Sequence, residues 1–267
     1  MEQEKAHVWV EKFPVLELDW LNETYFKVRL LAPEIAETAV AGQFVNVRVT
    51  STFDPLLRRP FSIARRDADD GWIELVVKVV GKGTQLLGEA RPGALLDVLG
   101  PLGRGFDLSS LEGAIVLGGG IGVAPLIFLS QELQALGVES LFIQGFRDKD
   151  DVCCLDDLKA SSGEFILTTD DGSAGREGLV TSHLEKILEN RPKKKRHTLF
   201  ACGPDGMLRK AAQIADRFGM DWQFSFETRM ACGMGACVGC AIPTFDGEHY
   251  RLVCQDGPVF KKHEVFV

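Results

Sequence analysis

The stretch Ala114-Ile-Val-Leu-Gly-Gly-Gly-Ile-Gly-Val-Ala-Pro125 decides the fold of this chain. Residues 114–117 are a continuous apolar run, the pattern of a strand buried on both faces. A glycine turn follows, and then a helix over about 124–136. Free amides and the helix dipole meet at such a turn, which is where the pyrophosphate of a dinucleotide can sit. The run departs from the G-x-G-x-x-G fingerprint, because Val123 stands where the third glycine would be. That argues against a standard Rossmann dehydrogenase but not against nicotinamide binding. A tight turn that holds no ligand rarely needs Gly118, Gly119, Gly120 and Gly122 together.

Working towards the C-terminus, apolar runs at 140–146, 164–169, 198–202 and 222–225 alternate with helical patterns at 155–159, 179–190 and 204–218. This alternation predicts a doubly wound parallel sheet with helices on both faces. Working towards the N-terminus, the texture is β-rich. Short runs recur at 6–13, 25–31, 44–50, 61–65, 72–80 and 95–99, separated by turn clusters such as Asp69-Asp70-Gly71 and Arg91-Pro92-Gly93. Six strands at this spacing predict an antiparallel six-stranded barrel, interrupted by one helix at 83–89. Gly100-Pro101-Leu102-Gly103 is expected to close the barrel and act as a hinge. The expected division is 1–104 for the barrel, 105–226 for the α/β domain and 227–267 for a small C-terminal domain.

That last segment carries Cys232-Gly-Met-Gly-Ala-Cys237-Val-Gly-Cys240, followed by Cys254. The spacing C-x4-C-x2-C with a fourth cysteine downstream is the plant-type ligand pattern of a [2Fe–2S] cluster. Four thiolates must converge on two irons, and small residues let the loop wrap the inorganic sulfides with backbone amides pointing at sulfur. Cys232, Cys237, Cys240 and Cys254 are therefore the candidate metal ligands. Buried thiols or disulfides would leave the glycines without a purpose.

The chain has 267 residues, with 45% hydrophobic and 25% charged residues and a formal net charge of −8. The negative balance speaks against nucleic acid as the main partner. The basic run Arg191-Pro-Lys-Lys-Lys-Arg196 reads as a solvated loop. No apolar stretch reaches the roughly 18 residues that a membrane span needs. The charged N-terminus lacks a signal-peptide core. Seven cysteines, four of them clustered around glycines, suit a metal site in a reducing cytoplasm.

Further motifs fit a flavin and a nicotinamide. In Arg58-Arg-Pro-Phe-Ser62, Arg59 can hold a phosphate while Pro60, Phe61 and Ser62 lie along a flat ring. Alone, the tetrapeptide is equally a structural arginine beside an edge proline. Lys78-Val-Val-Gly-Lys-Gly83-Thr84 offers an anion site before a helix, with a plain N-cap by Thr84 as the bland reading. Cys202-Gly203-Pro204 falls at the carboxyl end of a later strand, where doubly wound sheets bind ligands. Cys202 is a poor cluster ligand, either a thiol beside a nicotinamide–flavin stack or an inert buried cysteine. Cys153 and Cys154 look structural. Asp170 and Asp171 could accept from ribose hydroxyls and disfavour a 2′-phosphate, or could simply shape a turn.

Taken together, R-P-F-S, G-K-G-T, G-G-G-I-G-V-A-P-L, C-G-P and the trailing cysteines resemble the ferredoxin–NADP reductase superfamily. The segments Met230–Cys240 and Val253–Phe260 resemble, more closely, the electron-transfer subunits of class 1B dihydroorotate dehydrogenases. The resemblance implies FAD at Arg59, Pro60, Phe61, Ser62, Lys78, Gly83 and Thr84. It implies NAD at Gly118 to Gly122 and at Cys202, Gly203 and Pro204. It also implies an FMN-containing catalytic partner in a heterotetramer of two subunits of each kind, serving pyrimidine biosynthesis. No general base or orotate site is evident here, which fits substrate chemistry housed elsewhere. The alternative within redox chemistry is the diaphorase subunit of a hydrogenase, sulfide dehydrogenase or transhydrogenase-type complex. A redox sensor would need an output element, and none is visible. An apolar face at Met230, Met234 and Val238 is expected either to dock the partner or to pack against Phe260.

Overall fold

The computed structural model of the chain describes residues 7–190 and 196–265. The N-terminal strands are β1 (Trp9–Trp20), β2 (Tyr25–Leu31), β3 (Phe44–Arg48), β4 (Arg59–Asp67), β5 (Trp72–Lys78) and β6 (Leu95–Leu102). They close into a barrel in the order β1-β2-β5-β4-β3-β6, with every pairing antiparallel. Alternation along the strands sends Val28, Val45, Val47, Ile63 and Leu75 into one core. Phe44 takes the opposite face of β3 and joins a different core.

Two helices interrupt the barrel where one was expected. α1 (Pro33–Thr38) begins with proline and has Glu34 in its first turn, a good start for a helix. α2 (Lys82–Gly88) is the expected one. The presumed hinge is not a loose link. Gly100–Leu102 completes β6, Gln43 Nε2 donates to Gly103 O at 2.9 Å, and Arg104 N donates to Gly257 O.

The α/β part comprises β7 (Ala114–Gly119), β8 (Ser140–Phe146), β9 (Glu164–Thr169), β10 (Arg176–Glu177), β11 (Thr198–Cys202) and β12 (Trp222–Ser225). Its helices are α3 (Val123–Ala135), α4 (Leu155–Ser161), α5 (Val180–Asn190) and α6 (Asp205–Arg217). Period-two alternation divides the sheet between two cores. Val116, Phe142 and Phe200 face α3 and the barrel side, with Leu126, Ile127 and Leu129. Ile115, Leu117, Leu141, Ile143 and Leu199 face α5 and α6, through Leu184, Leu208 and Ile214. Each such fully buried side chain stabilises the fold by about 1.5–3 kcal/mol relative to exposure.

Past β12 come a hairpin, β13 (Ala241–Pro243) with β14 (Tyr250–Leu252), and the short strand β15 (Val259–Lys261). β15 pairs antiparallel with β12, so the sheet order is β10-β9-β8-β7-β11-β12-β15. The C-terminal segment thus caps an edge of the α/β sheet. A third core fastens it to the outside of the barrel as well, where Phe44, Leu99 and Leu102 meet Cys240, Val253, Cys254 and Phe260. Ion pairs join the barrel to the α/β part. Asp157 accepts from Lys27 at 2.6 Å and Arg65 at 2.9 Å, and Asp151 accepts from Lys78 at 3.0 Å. Among the described residues no helix is long and apolar enough to cross a membrane. Residues 191–195 of the basic run lie outside the described residues, and Arg196 pairs with Asp221.

Candidate functional site

Arg58, just before β4, and Arg59, its first residue, have different surroundings. Arg58 is structural, with its guanidinium on Asp97 Oδ1 at 2.6 Å and on Asp97 O at 2.8 Å. Arg59 instead donates to Leu57 O and lies over Gly83 in the first turn of α2. A Cβ added to Gly83 would come within 2.9 Å of Arg59 Cζ. The fold therefore brings together the R-P-F-S strand and the G-K-G-T turn, 24 residues apart in sequence from Arg59 to Gly83. A guanidinium held over a glycine turn can bind a phosphate by charge-assisted hydrogen bonds.

Thr84 is the third residue of the helix rather than its cap. Its Oγ1 accepts from Val80 N at 2.9 Å and Gly81 N at 3.2 Å, and donates to Gly81 O at 2.9 Å. The hydroxyl thus shapes the turn. Lys78 is engaged with Asp151 across the domain junction and lies 4.9 Å from the Tyr25 ring centroid. Phe61 packs against the barrel core, while Pro60 and Ser62 alternate with it along β4.

At the second site, β7 and β11 are parallel neighbours with Gly118 opposite Cys202. The winding of the sheet reverses between them, which opens a crevice at their carboxyl ends. The glycines divide the work. A Cβ on Gly122 would stand 2.5 Å from Cys202 C, and one on Gly119 would stand 2.6 Å from Met207 Sδ and 3.0 Å from Pro204 Cδ. One on Gly203 would lie 3.1 Å from Gly119 N, and one on Gly118 would run into Gln144 and Leu126. Gly119, Gly122 and Gly203 let the two turns approach closely, and Gly118 makes room for Gln144 and Leu126. Gly120 differs: its φ is +54° and the space beside it is open, as a turn presented to a ligand requires.

Cys202 is fully buried, and burial pushes its thiol well up, with the charge of Glu227 adding to the effect. Cys202 belongs to the core between sheet and barrel, whereas Cys240 and Cys254 belong to the third core, so the fold keeps it apart from the cysteine loop. Glu227 escaped sequence reasoning because no motif marks it. Desolvation, then the nearby charge of Asp205, raises its carboxyl above the ordinary range. Asp171 shapes its turn, accepting from Ser173 N at 2.9 Å and Ser173 Oγ at 2.6 Å. Asp170 is exposed just past β9, its carboxyl raised by partial desolvation and then by the charge of Asp171.

The cysteines form two pairs. Cys240 Sγ and Cys254 Sγ are 3.3 Å apart in the third core. Cys232 and Cys237 share the exposed loop, and Cys232 Sγ accepts from Met234 N at 3.5 Å and Cys237 N at 3.4 Å. Gly235 N donates to Cys254 Sγ at 3.1 Å, tying the loop to the second pair. Partial burial works against Cys232, yet the backbone donors bring its thiol down to about 7. Burial, then Cys240, pushes Cys254 up to about 12. Among the described residues no three His, Cys, Asp or Glu side chains gather as they would around a single metal ion. Two pairs of thiols with backbone amides donating to Cys232 and Cys254 fit a two-iron cluster. The apolar face divides: Met230 packs in the third core, whereas Met234 and Val238 are 55% and 62% exposed.

Comparison with known proteins agrees with this geometry. A family model described as the iron–sulfur cluster binding domain of dihydroorotate dehydrogenase B matches residues 227–266, and an oxidoreductase FAD-binding domain matches residues 21–106. The dihydroorotate dehydrogenase B (NAD(+)) electron transfer subunit of Bacillus caldolyticus is 40% identical over 261 residues, covering 96% of this chain and 98% of its own. That of Fusobacterium nucleatum is 37% identical over 248 residues, covering 91% and 93%. The chain belongs to this family of electron transfer subunits. These relatives differ from this chain at most positions, yet the matched span covers over nine-tenths of it. A chain from the structure of an NADH-dependent reduced ferredoxin–NADP oxidoreductase has a TM-score of 0.85 at 28% identity, covering 100% of this chain and 91% of its own.

Proposed function

We propose that this chain is the electron-transfer subunit of a dihydroorotate dehydrogenase B. It would carry electrons between the FMN of a separate catalytic subunit and NAD+, through a [2Fe–2S] cluster and FAD, in pyrimidine (UMP) biosynthesis. The observation that carries the reading is the meeting of Cys254 with the Cys232–Cys240 loop, its Sγ 3.3 Å from Cys240 Sγ, in a core shared with β3, the strand next to the R-P-F-S strand. When bound, the cofactors couple two-electron exchange with nicotinamide to one-electron exchange with the partner.

The residues have distinct tasks in this reading. Arg59 neutralises a phosphate of FAD above the Gly81–Gly83 turn, which Thr84 holds in shape. Pro60, Phe61 and Ser62 support the ring along β4. Gly118 to Gly122 and Cys202 to Pro204 frame the nicotinamide nucleotide, with the buried Cys202 thiol staying protonated and neutral. Cys232, Cys237, Cys240 and Cys254 hold the cluster. Met234 and Val238 flank the exposed Cys237 and make the face on which the catalytic subunit docks, in an assembly of two subunits of each kind. Seven free thiols suit a reducing cytoplasm.

The solved oxidoreductase above favours a second reading, a diaphorase subunit of a transhydrogenase-type complex. Its 28% identity falls below the 37% and 40% of the orotate relatives, so the first reading stands. Purification with a co-expressed dihydroorotate dehydrogenase catalytic subunit tests the choice. Co-purification with dihydroorotate-dependent NAD+ reduction supports it, and a chain that carries both cofactors but neither binds nor serves that subunit rejects it.

A further inference from the structure

Asn46 lies at the midpoint of β3 and is fully buried, with 0% of its surface exposed. Neither its Nδ2 nor its Oδ1 has a hydrogen-bond partner. Buried side-chain amides are nearly always paired, so an amide orphaned at both ends marks a missing group. β3 pairs Asn46 with Pro60 of the flavin strand on one side and with Leu99 on the other. Pleating turns its side chain away from Val45 and Val47, which fill the barrel, and toward the C-terminal segment that packs on Phe44.

What lies there is the cysteine loop. A Cβ built on Gly233 would be 2.5 Å from Asn46 Nδ2 and 3.4 Å from its Cγ, so the nitrogen is the atom nearer the loop. Gly233 has φ +72°, the left-handed conformation that favours glycine. Its lack of a side chain leaves the amide directly against the residue that follows Cys232. The loop already directs the amides of Met234, Gly235 and Cys237 at its sulfurs. Asn46 brings a side-chain N–H to the same loop, at Gly233, from a different element.

We propose that Asn46 is a positioning residue of the cluster centre: from β3 its amide donates into the Cys232–Cys237 loop and holds the cluster's reduction potential up. This rests on the cluster reading given above. A donor aimed at cluster sulfur stabilises the reduced form, which carries one more negative charge, over the oxidised form. Asn46 also shares a backbone register with Pro60, so the same strand that seats the flavin tunes the cluster it exchanges electrons with.

The test uses the full chain with both cofactors and the near-isosteric variant Asn46→Leu, which removes the donor. EPR-monitored redox titration should show the cluster midpoint moved to more negative potential, with flavin content and flavin midpoint unchanged. The unsubstituted protein gives an independent readout. The chain has three asparagines, Asn22, Asn46 and Asn190, so side-chain 15N-asparagine labelling is nearly site-specific. Pulsed EPR of the reduced cluster should show a weak 15N coupling that Asn46→Leu abolishes. This coupling decides the matter even if the variant fails to fold. An unmoved cluster midpoint, a shift confined to the flavin, or no 15N coupling overturns the proposal. Absence of any cluster signal overturns the cluster reading itself, and this inference with it.

Discussion

Gly83→Ala separates the binding role of Arg59 from the stability of the fold. The new methyl would stand 2.9 Å from Arg59 Cζ and 3.1 Å from Arg59 Cδ, too close for the guanidinium to keep its place. The obstacle is a flexible side chain rather than backbone, so the arginine swings away at little cost to the apoprotein. Alanine in α2 also gains up to about 1 kcal/mol over glycine in helix propensity. Thermal stability of the apoprotein should therefore hold or rise. FAD binding should not. A charge-assisted hydrogen bond contributes about 1.5–3 kcal/mol, so its loss weakens FAD by about 10- to 150-fold. FAD release from the purified holoprotein, followed by recovery of flavin fluorescence on dilution, measures the effect. Affinity within about threefold of the unsubstituted protein would show that Arg59 over Gly83 is not the phosphate site.

Two other perturbations probe the crevice and the C-terminal anchor. Gly122→Ala puts a methyl 2.5 Å from Cys202 C and 2.7 Å from Gly203 N, both backbone atoms, and should cost about 2–4 kcal/mol in chemical denaturation and abolish flavin reduction by NADH. Gly120→Ala meets open space and should cost only about 1–2 kcal/mol for its positive φ. Asp107 is held at about 2 by hydrogen bonds from Lys261 and Ser109, below its ordinary 3.8. A depressed carboxylate stabilises the fold above its unfolded pKa, and that contribution disappears as pH falls from about 4 to 2. Denaturation midpoints across that range should fall less steeply for Asp107→Asn than for the unsubstituted protein, and parallel curves would refute the assignment.

The central strands of the parallel sheet were legible nearly to the residue, because strands buried on both faces are largely apolar, whereas the exposed two-residue edge strand β10 left no signal. The runs at Ser140–Phe146, Glu164–Thr169, Thr198–Cys202 and Trp222–Ser225 have the limits that their composition implies. β15 was not legible. Three residues carry no periodicity, and their partner β12 lies more than 30 residues earlier, so only tertiary packing makes Val259–Lys261 a strand. α1 did leave a signal in Pro33 and Glu34, but six residues are too few for a helical period to emerge. The meeting of Arg59 with Gly83 could be anticipated from motif chemistry, whereas the structural role of Arg58 depends on Asp97 across the barrel. Asn46 and Glu227 gave no sign in sequence. Each becomes notable only through what surrounds it: an orphaned amide beside Gly233, and a carboxylate beside Cys202.

The central claim is that electrons pass between this chain and a catalytic partner through the cysteine loop. The most direct measurement is dihydroorotate-dependent NAD+ reduction by the complex with a co-expressed catalytic subunit, comparing the unsubstituted chain with Cys237→Ser. The account predicts that the variant retains FAD and reduces dyes from NADH at close to the normal rate, while reduction of NAD+ by dihydroorotate is lost. Undiminished transfer from dihydroorotate to NAD+ in Cys237→Ser would contradict it.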